Sequence, residues 1–314
     1  MKILVIGGTY FLGKAFTDMA KGEHDIVLVN RGSRPAPDGV RSIICDRHDR
    51  VKLSEALSSE SRQVNTNDDS DVGGFDAVVD FAAYRPGDIE GIVEALPGDI
   101  RGMRYIFIST SDVYLRGTGE KLDEDAPFER RDFGGETGAY ILGKVALEEE
   151  LTRIAERKGI IPTSIRPAFI YGEGNYAPRE SMYFKWIKNA SQFLHLSDAD
   201  GFFQTVYVRD AAKAILNILG REDMKALNLC GDEVLNYERL AEVLEKLSEK
   251  CLGKKAERID ITVNDALERG IPFPYPMTKE ESNYYISKYR NEEILRYTDF
   301  YDGLVETFVN GGFV

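Results

Sequence analysis

Apolar residues fall in short unbroken runs along the first half of the chain: Ile3-Leu4-Val5-Ile6, Ile26-Val27-Leu28-Val29, Ser42-Ile43-Ile44-Cys45, Ala77-Val78-Val79-Asp80-Phe81 and Tyr105-Ile106-Phe107-Ile108. Runs that do not alternate with polar residues predict strands buried on both faces, as in a parallel sheet between two helix layers. Between the first two runs, Leu12, Ala15, Phe16 and Met19 recur at three- and four-residue intervals and predict the crossover helix of a βαβ unit. A helix from Tyr140 to Lys158, a strand at Thr163-Ser164-Ile165 and another at Ala226-Leu227-Asn228-Leu229 continue the pattern. The fold class expected is α/β, a doubly wound parallel sheet with a smaller C-terminal lobe. Residues 1–172, with 201–232 returning, form the sheet domain in this reading, and 173–200 with 233–314 form the lobe. Ser58 to Gly74, rich in Ser, Asn, Asp and Gly, reads as a solvated loop. From about Leu235 the pattern is helical (Leu240, Val243, Leu244, Leu247), and then Pro272, Pro274 and Pro276 break any regular element.

Composition narrows the function classes. An apolar content of 43% over 314 residues supports a large core and excludes a disordered chain. Forty basic against 53 acidic residues, a net charge of -13, make a surface that repels phosphate backbones, so nucleic acid is disfavoured as a partner. Cys45, Cys230 and Cys251 are odd in number and widely spaced, which fits neither a disulfide framework nor a CxxC metal site and points to a reducing cytoplasm. His24, His48 and His195 are scattered, and no catalytic metal is expected. The apolar run Ile3 to Ile6 is too short for a signal peptide, and no run of some 18 apolar residues predicts a membrane segment.

Directly after the first strand stands Gly7-Gly8-Thr9-Tyr10-Phe11-Leu12-Gly13. Glycines between a strand and a helix allow a tight turn, close packing and a helix N-terminus open to a pyrophosphate, the phosphate loop of a Rossmann domain. A plain structural turn is the alternative. Tyr10 takes the place of the middle glycine, so a dinucleotide is accommodated only if that side chain turns away. About 20 residues further on, a chain preferring NAD carries an acid that grips the ribose diol. Here the second strand ends in Asn30-Arg31-Gly32-Ser33-Arg34, where neutral Asn30 does not repel a 2′-phosphate and Arg31 and Arg34 can pair with it, so NADP is favoured over NAD. The other reading of these arginines is a solvated turn. Asp46 and Arg47, after the third strand, either contact the adenine or build a turn.

Tyr140-Ile141-Leu142-Gly143-Lys144 places a phenol and an ammonium on one helix face. A nearby cation favours the phenolate, which lets tyrosine exchange a proton at neutral pH. Ser109-Thr110-Ser111, at the end of the fifth strand, adds hydroxyls at the sheet edge that faces the dinucleotide crevice.

With these motifs the chain resembles the extended short-chain dehydrogenase/reductase superfamily, the NAD-dependent epimerase/dehydratase family. The resemblance runs through Gly7 to Gly13, Phe81-Ala82-Ala83, Ile108 to Tyr114, Tyr140 to Lys144, Arg166 to Gly172 and Val208-Arg209-Asp210. It implies that Tyr140 is the general acid/base, that Lys144 also holds the nicotinamide ribose and that Thr110 polarises the reacting oxygen. Gly7, Thr9, Tyr10, Phe11, Leu12, Gly13, Phe81, Ala82, Ala83, Ser109, Pro167, Phe169 and Ile170 would line the cofactor. The expected activity is oxidation, reduction or epimerisation at a hydroxyl or keto group of a nucleoside-diphosphate sugar or a related small polar molecule. Members of the dehydratase branch follow the catalytic threonine with Asp-Glu, whereas Thr110 is followed by Ser111-Asp112, so sugar 4,6-dehydration is not expected. The Gly-Gly-Thr-x-Phe-Leu-Gly start resembles a less typical branch that includes chloroplast stem-loop RNA-binding proteins. The rival reading is therefore a non-catalytic Rossmann protein that binds RNA or acts as an NADP-dependent regulator.

The resemblance also implies a homodimer paired through the helices near Ile89 to Leu96 and Tyr140 to Lys158, with Ile92, Leu96, Ala146 and Leu147 as contacts. Tyr183, Phe184 and Trp186 read either as a substrate wall or as helix packing. Asp123-Glu124-Asp125 reads as a solvated loop, and Asp210 as a helix cap.

Overall fold

The first apolar run, Ile3 to Ile6, lies at the heart of a seven-stranded sheet. A computed structural model describes residues 1–62, 74–117, 120–291 and 296–314. The chain begins β1 (Lys2–Ile6), α1 (Phe11–Ala20), β2 (Asp25–Asn30), β3 (Arg41–Ile44), α2 (Arg50–Arg62), β4 (Ala77–Asp80), α3 (Asp88–Ala95) and β5 (Arg104–Ile108). It continues with β6 (Lys121–Leu122), α4 (Gly135–Lys158), β7 (Ile161–Pro167), β8 (Phe169–Tyr171), α5 (Glu180–Ala190), β9 (Gln192–Leu196), β10 (Phe202–Phe203) and β11 (Thr205–Tyr207). The last elements are α6 (Val208–Asn217), β12 (Ala226–Leu229), β13 (Leu235–Asn236), α7 (Tyr237–Leu252), β14 (Glu257–Ile261), α8 (Val263–Glu268), β15 (Tyr284–Tyr285) and α9 (Phe300–Asn310).

The chain divides into two compact units, the first made of Met1–Val113, Pro127–Pro167 and Ala212–Leu227. Its parallel sheet has the order β12-β7-β5-β4-β1-β2-β3, a Rossmann-like α/β arrangement. Strand order reverses at β1, so the C-terminal ends of β1 and β4 open on the switch point where ligands bind in such sheets. Because side chains alternate faces along a strand, Leu4 and Ile6 point into one layer, where they meet Leu53 and Leu57 of α2, Ile89 and Ile92 of α3, and Leu147 and Leu151 of α4.

Residues 58–62, expected in a loop, continue α2: its stripe of Leu53 and Leu57 is fully buried, Glu60 pairs with Arg41 and its carbonyl accepts from Lys2 Nζ. The remainder of that expected loop, 63–73, lies outside the described residues. The helix expected from Tyr140 begins five residues earlier, at Gly135, and closes on Gly159 in the left-handed conformation with Arg157 and Lys158 in its last turn. Ile92 and Leu147, two of the four residues offered as dimer contacts, are fully buried in the unit's own core, whereas Leu96 and Ala146 are half-buried.

The second unit comprises Tyr114–Ala126, Ala168–Ala211 and Asn228–Val314. Its sheets are two-stranded: β6 with β15, β8 with β11, β9 with β14, and β10 with β13. These pairings draw 114–126 and 201–211 into the second unit, so its boundaries fall elsewhere than the sequence reading drew them. Aromatic rings fill it, with Phe203 stacked on Tyr275 at 3.9 Å and Phe184 edge-on to Phe308. Tyr183 and Phe184 are buried, the packing reading of that helix. Glu124 is not solvated as expected: its carboxylate accepts from Asn228 N, Ser287 Oγ and Lys288 N at 2.6–2.9 Å. Nor does Asp210 precede a helix. It lies in the first turn of α6 and accepts from Thr298 N and Oγ1. Among the described residues no helix is long and apolar enough to cross a membrane.

Candidate active site

The glycine loop leaves β1 through Gly7 at φ 83°, whose N–H donates to Val29 O at 3.1 Å. A Cβ on Gly13 would lie 2.5 Å from Gly7 O, and one on Gly8 2.6 Å from Leu28 and Thr17. The loop therefore packs against α1 as closely as backbone permits, a space only glycine leaves open. No side chain caps α1 at Tyr10, and its first turn holds no acid. An uncapped helix start behind a glycine turn fits a pyrophosphate. Thr9 lies in this turn, Phe11 is held at φ 43°, an uncommon left-handed value, and Phe11 and Leu12 are buried. Tyr10 extends sideways, with the Arg34 guanidinium 3.8 Å above its ring centroid.

At the end of β2, Asn30 accepts from Gly32 N at 2.7 Å and donates to Ser42 Oγ at 2.8 Å, so its side chain fixes the turn that carries Arg31 and Arg34. Asp46 accepts from the backbone N–H and the ring of His48; these bonds, the backbone one foremost, together with the charges of His48 and Arg31, hold its carboxyl below the usual range. Arg47 turns inward. It forks onto Asp80 at 2.8 and 2.9 Å and donates to Asp88 O. Burial disfavours this cation, but Asp80 outweighs it and the guanidinium pKa is raised.

Sequence reasoning missed three carboxylates that frame the loop holding Phe81, Ala82 and Ala83. Asp80, fully buried at the end of β4, accepts from Ala82 N and Tyr105 Oη. Asp88 accepts from Tyr84 N and Arg85 N, and Glu150 of α4 from Gly87 N and Glu90 N. The available signal was an acid, Asp80, inside an otherwise apolar strand, since an interior carboxylate needs donors.

Tyr140 and Lys144 stand one turn apart on α4. Tyr140 is 41% exposed, whereas the Lys144 ammonium is buried, donating to Ala83 O at 2.9 Å and Ile108 O at 2.8 Å. Nζ thus ties the ends of β4 and β5 together, 4.6 Å from the Tyr84 ring and 5.9 Å from that of Tyr140. Burial pushes its pKa down to about 8, against the pull of Asp80 and Glu148. Thr110 stands two residues past the end of β5, and its hydroxyl accepts from Asp112 N at 3.2 Å. The Ser109 hydroxyl points elsewhere, donating at 2.6 Å to Glu148, which also forms a buried fork with Arg166. Pro167 ends β7, and Phe169 and Ile170 begin β8 of the second unit.

A parallel sheet of this order, with a glycine loop after its first strand and a Tyr-x-x-x-Lys helix, defines a Rossmann-like protein of the extended short-chain dehydrogenase type. The model of the NAD dependent epimerase/dehydratase family matches residues 3–230, and the chain belongs to that family. It is 29% identical over 266 residues to the chloroplast stem-loop binding protein of 41 kDa b of Arabidopsis thaliana. That alignment covers 78% of this chain, which spans 62% of the relative's length. The UDP-N-acetylglucosamine 4-epimerase of Methanobrevibacter ruminantium M1, in complex with UDP-N-acetylmuramic acid, aligns with a TM-score of 0.74 at 17% identity, covering 99% of this chain and 97% of that one. The UDP-glucose 4-epimerase of Thermus thermophilus, in complex with NAD, aligns at 0.72 and 18% identity, covering 99% and 98%. At such identities the likeness establishes the fold.

Proposed function

We propose that this protein is a nicotinamide-dependent oxidoreductase or epimerase, with NADP as cofactor, acting at a carbinol carbon of a nucleoside-diphosphate sugar or a related small polar molecule. The observation that carries the reading is the exposed Tyr140 phenol one turn from the buried, carbonyl-anchored Lys144 ammonium. As the phenolate, which the Lys144 charge favours, Tyr140 takes the proton of the substrate hydroxyl on oxidation; as the phenol it returns that proton on reduction. Two of the three ammonium N–H groups are held by carbonyls, leaving the third for the ribose. Thr110 positions the reacting oxygen. A nicotinamide dinucleotide, when bound, supplies the hydride acceptor and donor. The glycine loop and uncapped α1 suit its pyrophosphate, and the UDP-sugar compounds named for the structural neighbours support the substrate class.

The test is incubation with a panel of UDP- and dTDP-sugars and either cofactor, following nicotinamide absorbance and product stereochemistry. Turnover of a nucleotide sugar is expected. No absorbance change and no product across the panel overturns the reading.

The stem-loop binding relative supports a second reading, an RNA-binding protein on the same fold. The net charge of -13 weighs against it. Retention of a labelled RNA hairpin at physiological salt would favour it.

A further inference from the structure

Tyr10 poses a question that the proposed chemistry leaves open, because a bulky side chain stands where the phosphate loop calls for a glycine. Its backbone is extended, at φ -145° and ψ 142°, and its ring leaves the loop to lie under the Arg34 guanidinium. Arg34 comes from the segment between β2 and β3, just past the turn that Asn30 fixes by accepting from Gly32 N. Many arginines of this acidic chain pair with carboxylates, among them Arg41, Arg47, Arg50 and Arg166. Among the described residues Arg34 makes no ion pair, and the aromatic face is what holds it. A guanidinium seated over an aromatic ring keeps its N–H groups available to grip a phosphate bidentately.

We propose that Tyr10 is a specificity-determining positioning residue, a platform that holds the Arg34 guanidinium ready for the 2′-phosphate of NADP. This rests on the NADP reading above. The ring replaces the glycine's close approach with a preordered cation at the adenosine end of the site. It acts through Arg34 and bears on the cofactor that carries a 2′-phosphate. A cation–π contact at an exposed site, with the ordering of one long side chain, corresponds to about three- to ten-fold in affinity.

The experiment measures NADPH and NADH dissociation constants by titration calorimetry for the wild type, Tyr10→Ala, Tyr10→Phe, Arg34→Ala and the Tyr10→Ala/Arg34→Ala double variant, each first checked for an unchanged thermal melt. Tyr10→Ala is expected to weaken NADPH about three- to ten-fold and NADH less than about two-fold. Tyr10→Phe, which keeps the ring face, should retain wild-type selectivity. The double variant should be no weaker for NADPH than Arg34→Ala alone, because each single change disables the same device. Equal losses for both cofactors in Tyr10→Ala, additive losses in the double variant, or a variant that fails to fold while Tyr10→Phe loses selectivity would overturn the platform. A wild type that prefers NADPH and keeps that preference in Tyr10→Ala overturns the platform and leaves the cofactor reading standing. A wild type that binds NADH more tightly overturns both.

Discussion

Replacing Lys144 by methionine separates what this side chain does for the reaction from what it costs the fold. Its ammonium is buried among Ala83 O, Ile108 O and the Tyr84 and Phe107 rings, and its pKa falls from 10.5 to about 8. Below the folded value both folded and unfolded states carry the proton, and the full cost of burying the charge is felt. As pH rises past about 8, the folded protein releases a proton that the unfolded chain keeps until near 10.5, so stability rises with pH. The gain is about 1.4 kcal/mol per pH unit, or about 3 kcal/mol for the whole interval. Lys144→Met lacks this titration. Other groups cancel in the comparison, so the stability difference should move toward the wild type by about 2–3 kcal/mol between about pH 7 and pH 10. Over that interval kcat/KM of the wild type should fall, because the charge that favours the Tyr140 phenolate disappears. Urea unfolding of both proteins, with a pH–rate profile of the wild type, checks the two curves, which should run in opposite directions about one midpoint. Parallel stability profiles for the two proteins would refute the reasoning.

Other substitutions test separate parts of the site. Tyr140→Phe should lower turnover about 10²- to 10⁴-fold while cofactor affinity stays within about two-fold, and near-normal turnover would remove Tyr140 from the chemistry. Asp80→Asn leaves Arg47 buried beside a neutral amide and should cost about 3–5 kcal/mol of unfolding free energy; a loss below about 1 kcal/mol would show that Arg47 finds another anion. Arg31→Asp should weaken NADPH more than NADH, and equal effects in calorimetry would make Arg31 a plain surface residue. No nucleotide sugar should yield a product lighter by one water in mass spectrometry, because Ser111 is too weak an acid for the leaving hydroxyl and Asp112 has a shorter reach than glutamate.

The inner strands were legible because they are apolar on both faces, a pattern that needs no tertiary information, as at Ile3 to Ile6 and Val27 to Val29; the edge strand β3, expected to be buried likewise, exposes one face, with Ile44 63% exposed. The catalytic pair was legible for a similar reason, since Tyr140 and Lys144 are related by helix geometry alone. Burial was not. Nothing local separates the inward-facing Arg47 from the outward-facing Arg31, because the partner that draws Arg47 in, Asp80, stands 33 positions away. Ser109 and Thr110 are adjacent hydroxyls at one strand end, and only the long-range placement of Glu148 sends the first toward α4. The extent of α2 was misjudged because the polar residues after Leu57 are held in place by Lys2 and Arg41, contacts that composition cannot reveal.

Those long-range contacts share a logic that explains why Lys144 is poised to titrate. Arg47, Lys144 and Arg166 are buried cations of the first unit, and two of them meet carboxylates in forked pairs: Arg47 with Asp80, and Arg166 with Glu148. A guanidinium matched bidentately to an acid stays charged at any pH the fold survives, so these pairs fix geometry and carry no proton. Breaking either would strand a buried charge, which makes them strict about position even where they add little net stability. Lys144 is held by two carbonyls instead, and carbonyl dipoles support the charge less than a carboxylate does. Asp80 and Glu148 act on it from a distance, their charges already engaged by the arginines. The arrangement keeps Lys144 cationic near neutrality while leaving its proton within reach of a modest rise in pH. A carboxylate brought to the third N–H of Lys144 would raise its pKa and flatten both pH profiles, at the expense of the N–H that the ribose is expected to use.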